Sequence, residues 1–479
     1  MSQLHTRIEV TVELLSPLHI GSGTELLLDY DIVPYGEHTY RVNEEALLEQ
    51  ALLQAESEGA AAVNQVLAGR PAAELLTEAD FADPHSPLFR YVMPGTPFTT
   101  TAGAKVQEQI KDVHDQLYLP GSSLKGALRT VLAWGIYAGQ KRKPDLGKLK
   151  RSRSWAAQPL EQELFGRDPN RDFLRALHVE DSQPLEPDGH LALRTVQVYP
   201  AGLPIDVEAV GPGTVFRTAI TVDEYGFSQG VARQLGWQNK RQLIERLPVL
   251  AKRHARQRLL AEAEYFKARG GPVGAMRFYD SLINTWSELA GNEFIVQIGW
   301  GAGWESKTLG SGMLRQDDRA FEQLLKQYRM TRGRRQPGDP FPRSRTLALR
   351  GGEPALPLGW VRVKLVGFVP GEKPAVAPPP EEKPTKHPPA LPIGGPQHPQ
   401  DLQPGQVLEG TVRTIVPYGA FVDIGVGRDG LVHISQLAEG YVTNVEEVVQ
   451  VGRRVRVKVL SVERREGKWL ISLTMKGME

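Results

Sequence analysis

Twelve prolines fall between Pro370 and Pro404. Proline fixes φ and has no amide hydrogen, so a run this dense cannot enter a packed helix or a central strand. No apolar period crosses it, and it reads as a semi-rigid, partly extended tether. It divides the chain into a body, 1–369, a linker, 370–404, and a small module, 405–479. At 479 residues, three domains would be the ordinary expectation from length.

Charge and composition exclude several classes. Fifty-seven Lys and Arg against 56 Asp and Glu give a net charge of +1, unlike a uniformly basic nucleic-acid coat or an acidic tail. A local basic patch remains open. The absence of cysteine removes disulfides, zinc ribbons and thiol nucleophiles. No apolar run approaches a membrane span and no signal core stands at the N-terminus, so a cytoplasmic protein without membrane contact is expected. No His pair has metal-ligand spacing with a third ligand, and no cofactor is expected.

The body begins with strict alternation: Ile8, Val10, Val12 and Leu14 against Glu9, Thr11 and Glu13, a half-buried strand. It runs into the turn-rich stretch Leu15 to Gly23. A helix is predicted from Asn43 to Leu67 with Asn43 as its cap. A short strand before Pro120 leads to a Gly-Ser turn and a helix starting near Ser123. Residues 228–269 read as two amphipathic helices around Pro248. Strands then recur at Phe294 to Ile298 and at Trp360 to Leu365. Interleaved strands and helices give an α+β body. The loop 141–153 carries seven Lys or Arg and one Asp, and reads first as a solvated face.

Five short strand-like runs fit the module, beginning at Val407, Ala420, Gly430, Val455 and Trp469, a number that suits a small closed barrel. The YGAFV and GLVHIS segments, with the later VGRRVRVKVLSVE and ISLTMK, resemble the S-one type OB-fold repeat of a small-subunit ribosomal protein. The resemblance implies single-stranded RNA binding by stacking on Tyr418 and Phe421, joined by His433 and Lys468. Stacking tolerates any sequence because every base has a π-face. Glu463 stands where that family usually has Asp, which leaves open which basic residue faces RNA. Seven basic residues between Arg453 and Lys468 would form a phosphate-tracking stripe.

Two Gly-rich loops in the body have the composition of phosphate cradles. In PGSSLKGALR, Pro120 to Arg129, Gly121 to Ser123 open a helix, and Lys125 and Arg129 share one face. In GWGAGWESKT, Gly299 to Thr308, Ser306 stands where a P-loop needs Gly before its Lys, so ATP hydrolysis is rejected. The order LSPLHIGSG, LPGSSLKGALRT, ELFG, LHVEDS, IGWGAGWESKT resembles the RAMP superfamily of CRISPR effector proteins. The closing FPRSRTL and PLGWVRVKL resemble its fifth Csm-type (type III-A) subunit.

That resemblance implies a ferredoxin-like (RRM-like) body of one or two units with helical insertions. It implies a non-catalytic subunit that caps the backbone filament near the 3′ end of the guide RNA (crRNA) and assists guide maturation. The implied RNA-facing set is His19, Gly21, Gly23, Ser122, Ser123, Lys125, Arg129, Gly301, Gly303 and Lys307, with Lys125 and Arg129 foremost. Implied partners are guide RNA, single-stranded target RNA, the backbone and small Csm-type subunits, and a host nuclease.

Two rivals within the superfamily are enzymes. The backbone subunit cuts target RNA with a metal-dependent Asp, for which Asp29 and Asp31 stand in a similar place. Against this, a helical insertion of about 70 residues separates Tyr40 from Leu117. A guide-processing endoribonuclease would use His19, but no second proton donor stands at readable spacing. A translation- or decay-associated RNA-binding adaptor is the third class.

Overall fold

In the computed structural model the chain separates into two compact units, Met1–Pro378 and Pro379–Glu479. The structure describes residues 4–58, 70–315, 318–331, 339–367, 398–416, 419–438, 448–465 and 468–477.

In the first unit, β1 (His5–Leu14) buries Ile8, Val10, Val12 and Leu14 and exposes Glu9, as its alternation requires. There follow β2 (Gly21–Leu27), β3 (Ile32–Tyr35), β4 (His38–Val42), a helix Glu44–Glu58, β5 (Phe89–Pro94) and β6 (Lys105–Gln109). After the long helix Gly121–Gly139 come β7 (Leu177–Val179), β8 (Leu191–Tyr199), β9 (Pro204–Val210) and β10 (Val215–Asp223). Helices Leu247–Lys267 and Val273–Glu288 lead to β11 (Glu293–Gln297), and β12 (Arg345–Arg350), β13 (Glu353–Pro357) and β14 (Trp360–Val366) close the unit.

These strands form a five-stranded sheet, β11-β14-β1-β10-β7, a six-stranded sheet, β13-β12-β8-β9-β6-β2, and a small sheet, β3-β4-β5. The first is antiparallel throughout, with β1 between β10 and β14. Leu124, Leu128 and Leu132, four apart on the Gly121–Gly139 helix, join Val10, Val12 and Val363 in the main core. Gly135 lets the Leu247–Lys267 helix cross closely, because a Cβ there would stand 2.9 Å from Leu250 Cδ1.

Three expectations change, and one lies outside the described residues. The insertion after Tyr40 is not chiefly helical: beside the helix Glu44–Glu58 it holds β5, β6 and the short helix Ala72–Leu75. Phe89, Tyr91 and Met93 alternate inward along β5, a strand period set in Pro- and Thr-rich surroundings. Residues 59–67 of the expected helix lie outside the described residues. Residues 228–269 hold three helices, Gln229–Leu235, Arg241–Glu245 and Leu247–Lys267, and Pro248 opens the last instead of dividing two. The helix expected near Ser123 begins at Gly121.

The second unit is a closed barrel of β15 (Val407–Val416), β16 (Gly419–Asp423), β17 (Asp429–His433), β18 (Arg454–Arg465) and β19 (Lys468–Thr474), in the order β15-β16-β17-β19-β18. It has its own core, with Val412, Val422, Val432, Val457 and Leu473 at its centre.

Candidate nucleic-acid interface

The segment after β1 is held from three sides. Leu18 and Val210 exchange backbone hydrogen bonds, the Gly359 N–H donates to Pro17 O at 2.8 Å, and the Trp300 N–H donates to His19 O at 2.8 Å. The Ile20 N–H donates to Gln109 Oε1 at 2.8 Å. The His19 ring is therefore interior, 2 % exposed, edge-on to Trp300 at 5.8 Å. Its Nδ1–H donates to Glu208 O at 2.7 Å. Burial, with Lys111 adding to it, pushes the His19 pKa down against that hydrogen bond, so the imidazole is neutral near pH 7.

Beneath this segment lies a node of residues that no sequence motif marks. Glu208, 0 % exposed, accepts from Tyr91 Oη at 2.7 Å, from the Gln109 N–H at 2.9 Å and from Lys111 Nζ at 2.6 Å. A buried carboxylate is tolerable only with such partners. The signal in sequence is one Glu inside an apolar strand, which by itself names none of its partners.

Above the loop lies a cleft of about 400 Å³. Gly21, Ser122, Ser123, Gly126, Thr130 and Lys307 line it, together with the Gln297 to Trp300 backbone turn. No Asp or Glu is among its described lining residues. Lys307 is exposed and in no ion pair among the described residues. The Gly-rich turn that carries it needs left-handed backbone: Gly299 has φ +78°, and a Cβ there would come within 2.6 Å of His19 O.

The remaining sequence candidates divide. Lys125 is half-buried, and its pKa is lowered by burial. Arg129 is differently employed: it pairs with Asp172 at 2.6 Å and Glu161 at 3.2 Å and lies over the Phe165 ring at 3.8 Å. The helix N-terminus expected to meet an anion already meets one, since the Gly121 N–H donates to Asp181 Oδ1 at 2.7 Å. Gly23, Gly301 and Gly303 are not among the cleft's lining; Gly301 packs toward Leu358 and Thr346. Asp31 accepts the Leu27 N–H at 2.7 Å. In loop 141–153, Arg142 and Lys148 pair with Glu163.

On the barrel, Ala420 and Val422 of β16 and Gly430 and Val432 of β17 point inward. Phe421 and His433 therefore face outward, Phe421 opposite Leu431 and His433 opposite Gly419. Arg454 and Arg456 are exposed and alternate with buried Val455 and Val457 on β18. Tyr418 lies outside the described residues, as does the side chain of Lys468.

Two family models match the chain. The family model of the RAMP superfamily matches residues 11–306. That of the S1 RNA binding domain matches residues 401–474. A chain in the cryo-EM structure of a Csm-crRNA-target RNA ternary complex of a type III-A CRISPR-Cas system is 26% identical, with TM-score 0.55, covering 75% of this chain and 100% of that one. The crystal structure of T. onnurineus Csm5 shares the fold at 24% identity and TM-score 0.51, over 74% of this chain and 100% of that one. Protein tex of Bordetella pertussis (strain Tohama I) is 54% identical over 76 residues, 16% of this chain and 9% of its own length. Such curated relatives are thus matched only across a small part of their length.

Proposed function

Because this chain belongs to the RAMP superfamily, we propose that it is the fifth-subunit RNA-binding component of a type III CRISPR ribonucleoprotein. It grips guide RNA in the cleft over the Gly-rich loops, caps the backbone filament at the guide 3′ end, and assists guide maturation and target RNA binding without cutting RNA itself. Its partners are guide RNA, single-stranded target RNA and the backbone and small Csm-type subunits, and a host nuclease joins for maturation. The proposed compartment is the cytoplasm. No helix among the described residues is long and apolar enough to cross a membrane.

The observation that carries this reading is the cleft itself. Ser122, Ser123, the exposed Gly126 and Lys307 line one cleft, and no carboxylate is among its described lining residues. Phosphate contacts of this kind position an RNA without reading its bases. The likeness over 75% of the chain to a protein of a Csm-crRNA-target RNA complex supports the identity of that RNA. The barrel adds an outward Phe421 and His433, a surface suited to stacking on a single strand. A non-catalytic role is favoured by the His19 ring, which is buried and spent on Glu208 O.

The test is to cross-link the tagged protein in its own cells and sequence the attached RNA. Guide RNAs cross-linked toward their 3′ ends are expected, and Lys307→Glu should deplete them several-fold. Cross-links spread over messenger and ribosomal RNA, without guide enrichment, would sink the proposal.

A further inference from the structure

A second hollow adjoins the cleft. It measures about 760 Å³, within the roughly 300–1,000 Å³ of ligand sites. It lies between the Gly121–Gly139 helix, the segment 149–172 and the residues that follow the Gly-rich turn. Phe165, Trp304 and Tyr328 contribute aromatic rings to its wall, and Trp155 lines it while 59% exposed. Thr130 and Lys307 line both this groove and the cleft.

The charges sort by position. Three carboxylates lie in the groove, Glu161, Asp168 and Asp172, and two arginines pair with them, one shared between two carboxylates. Arg129 holds Glu161 and Asp172, and Arg171 holds Asp168 at 2.7 Å. Arg153 and Lys307, both lining the groove, are exposed cations in no ion pair among the described residues. An apolar, ring-rich wall disfavours a desolvated phosphate but suits a flat, weakly polar base. The cations then receive the phosphates on either side.

We propose that this groove is a base-binding site: a single-stranded RNA crossing the Lys307 cleft turns one or more bases onto Trp155, with its phosphates on Arg153 and Lys307. The occupant is RNA and not a peptide because the groove continues the phosphate cleft through Lys307 and offers cations in no ion pair beside its rings. The inference rests on the RNA reading of that cleft.

The experiment uses the full chain carrying Phe421→Ala and His433→Ala, so that the barrel contributes less. It measures the affinity for a labelled single-stranded RNA and maps ultraviolet cross-links by mass spectrometry. Trp155→Ala should weaken binding about fivefold or more, the lower bound for one stacked base, and remove cross-links from the peptide around Trp155. Trp155→Phe should restore both, and the melting temperature should not move, since this side chain is largely exposed. Normal affinity in Trp155→Ala alongside weak binding in Lys307→Glu overturns the groove and leaves the cleft standing. Normal affinity in both variants overturns the cleft reading as well. Normal RNA affinity in Trp155→Ala with loss of a co-purifying Csm-type subunit makes the groove a protein dock and overturns the inference.

Discussion

His19 shows how a residue of catalytic type becomes a structural one. Its Nδ1–H is committed to Glu208 O, and its Nε2 lies 3.3 Å from where a Gly21 Cβ would stand. Glycine at 21 therefore leaves room for the ring. Burial lowers the folded pKa below that of free histidine, about 6.5. The unfolded chain then binds more protons than the fold in the window below that value. The stability of neutral His19 is present in full above about pH 6.5 and is lost as pH falls toward the folded pKa. Urea unfolding at pH 7.5 and 5.5 should show a larger loss for the wild type than for His19→Gln. Equal losses would remove His19 as a source of acid sensitivity. Arg129 teaches a related lesson. Sequence spacing places it one turn from Lys125, but the carboxylates that neutralise it come from residues 161 and 172, far along the chain.

At the scale of elements, the Gly-rich turn after β11 separates two kinds of glycine. Gly299 and Gly303 have nearly the same φ, +78° and +77°, so alanine is strained at both. At Gly303 nothing stands within 4 Å of a new Cβ, whereas at Gly299 it meets His19 O at 2.6 Å and Leu18 Cδ1 at 2.7 Å. Gly303→Ala should cost about 1–2 kcal/mol, the left-handed penalty alone. Gly299→Ala should cost more, because it also pushes apart the loops joined by the Trp300 N–H to His19 O bond. It should lower both the melting temperature and RNA affinity, and equal effects of the two substitutions would contradict this account. The turn was legible as a turn from its glycines. That it closes against the segment after β1 was not, because the two lie about 280 residues apart and meet through space, where the Trp300 N–H donates to His19 O. The helix Val273–Glu288 escaped sequence reading, and the strand β5 was taken for part of a helical insertion.

At the scale of the molecule, the barrel has a core of its own, drawn from residues from Leu402 onward. Removing Pro379–Glu479 should leave the melting of the body unchanged and its assembly intact, yet weaken retention of single-stranded RNA, since a tethered module acts at high local concentration. Unchanged retention after deletion would remove the barrel from RNA binding. The features legible along the chain alone are periodic or local. The alternation of β1, the five runs of the barrel and the glycine-marked turns all follow from a two-residue repeat or from φ restrictions. Which charges are available is settled by contacts through space. Lys307 stands exposed in a cleft with no carboxylate among its described lining residues, Arg129 is consumed, and Glu208 anchors the loop from below. Charge pairing acts through space over a few ångströms, and partners tens or hundreds of residues apart leave no period for a sequence to display.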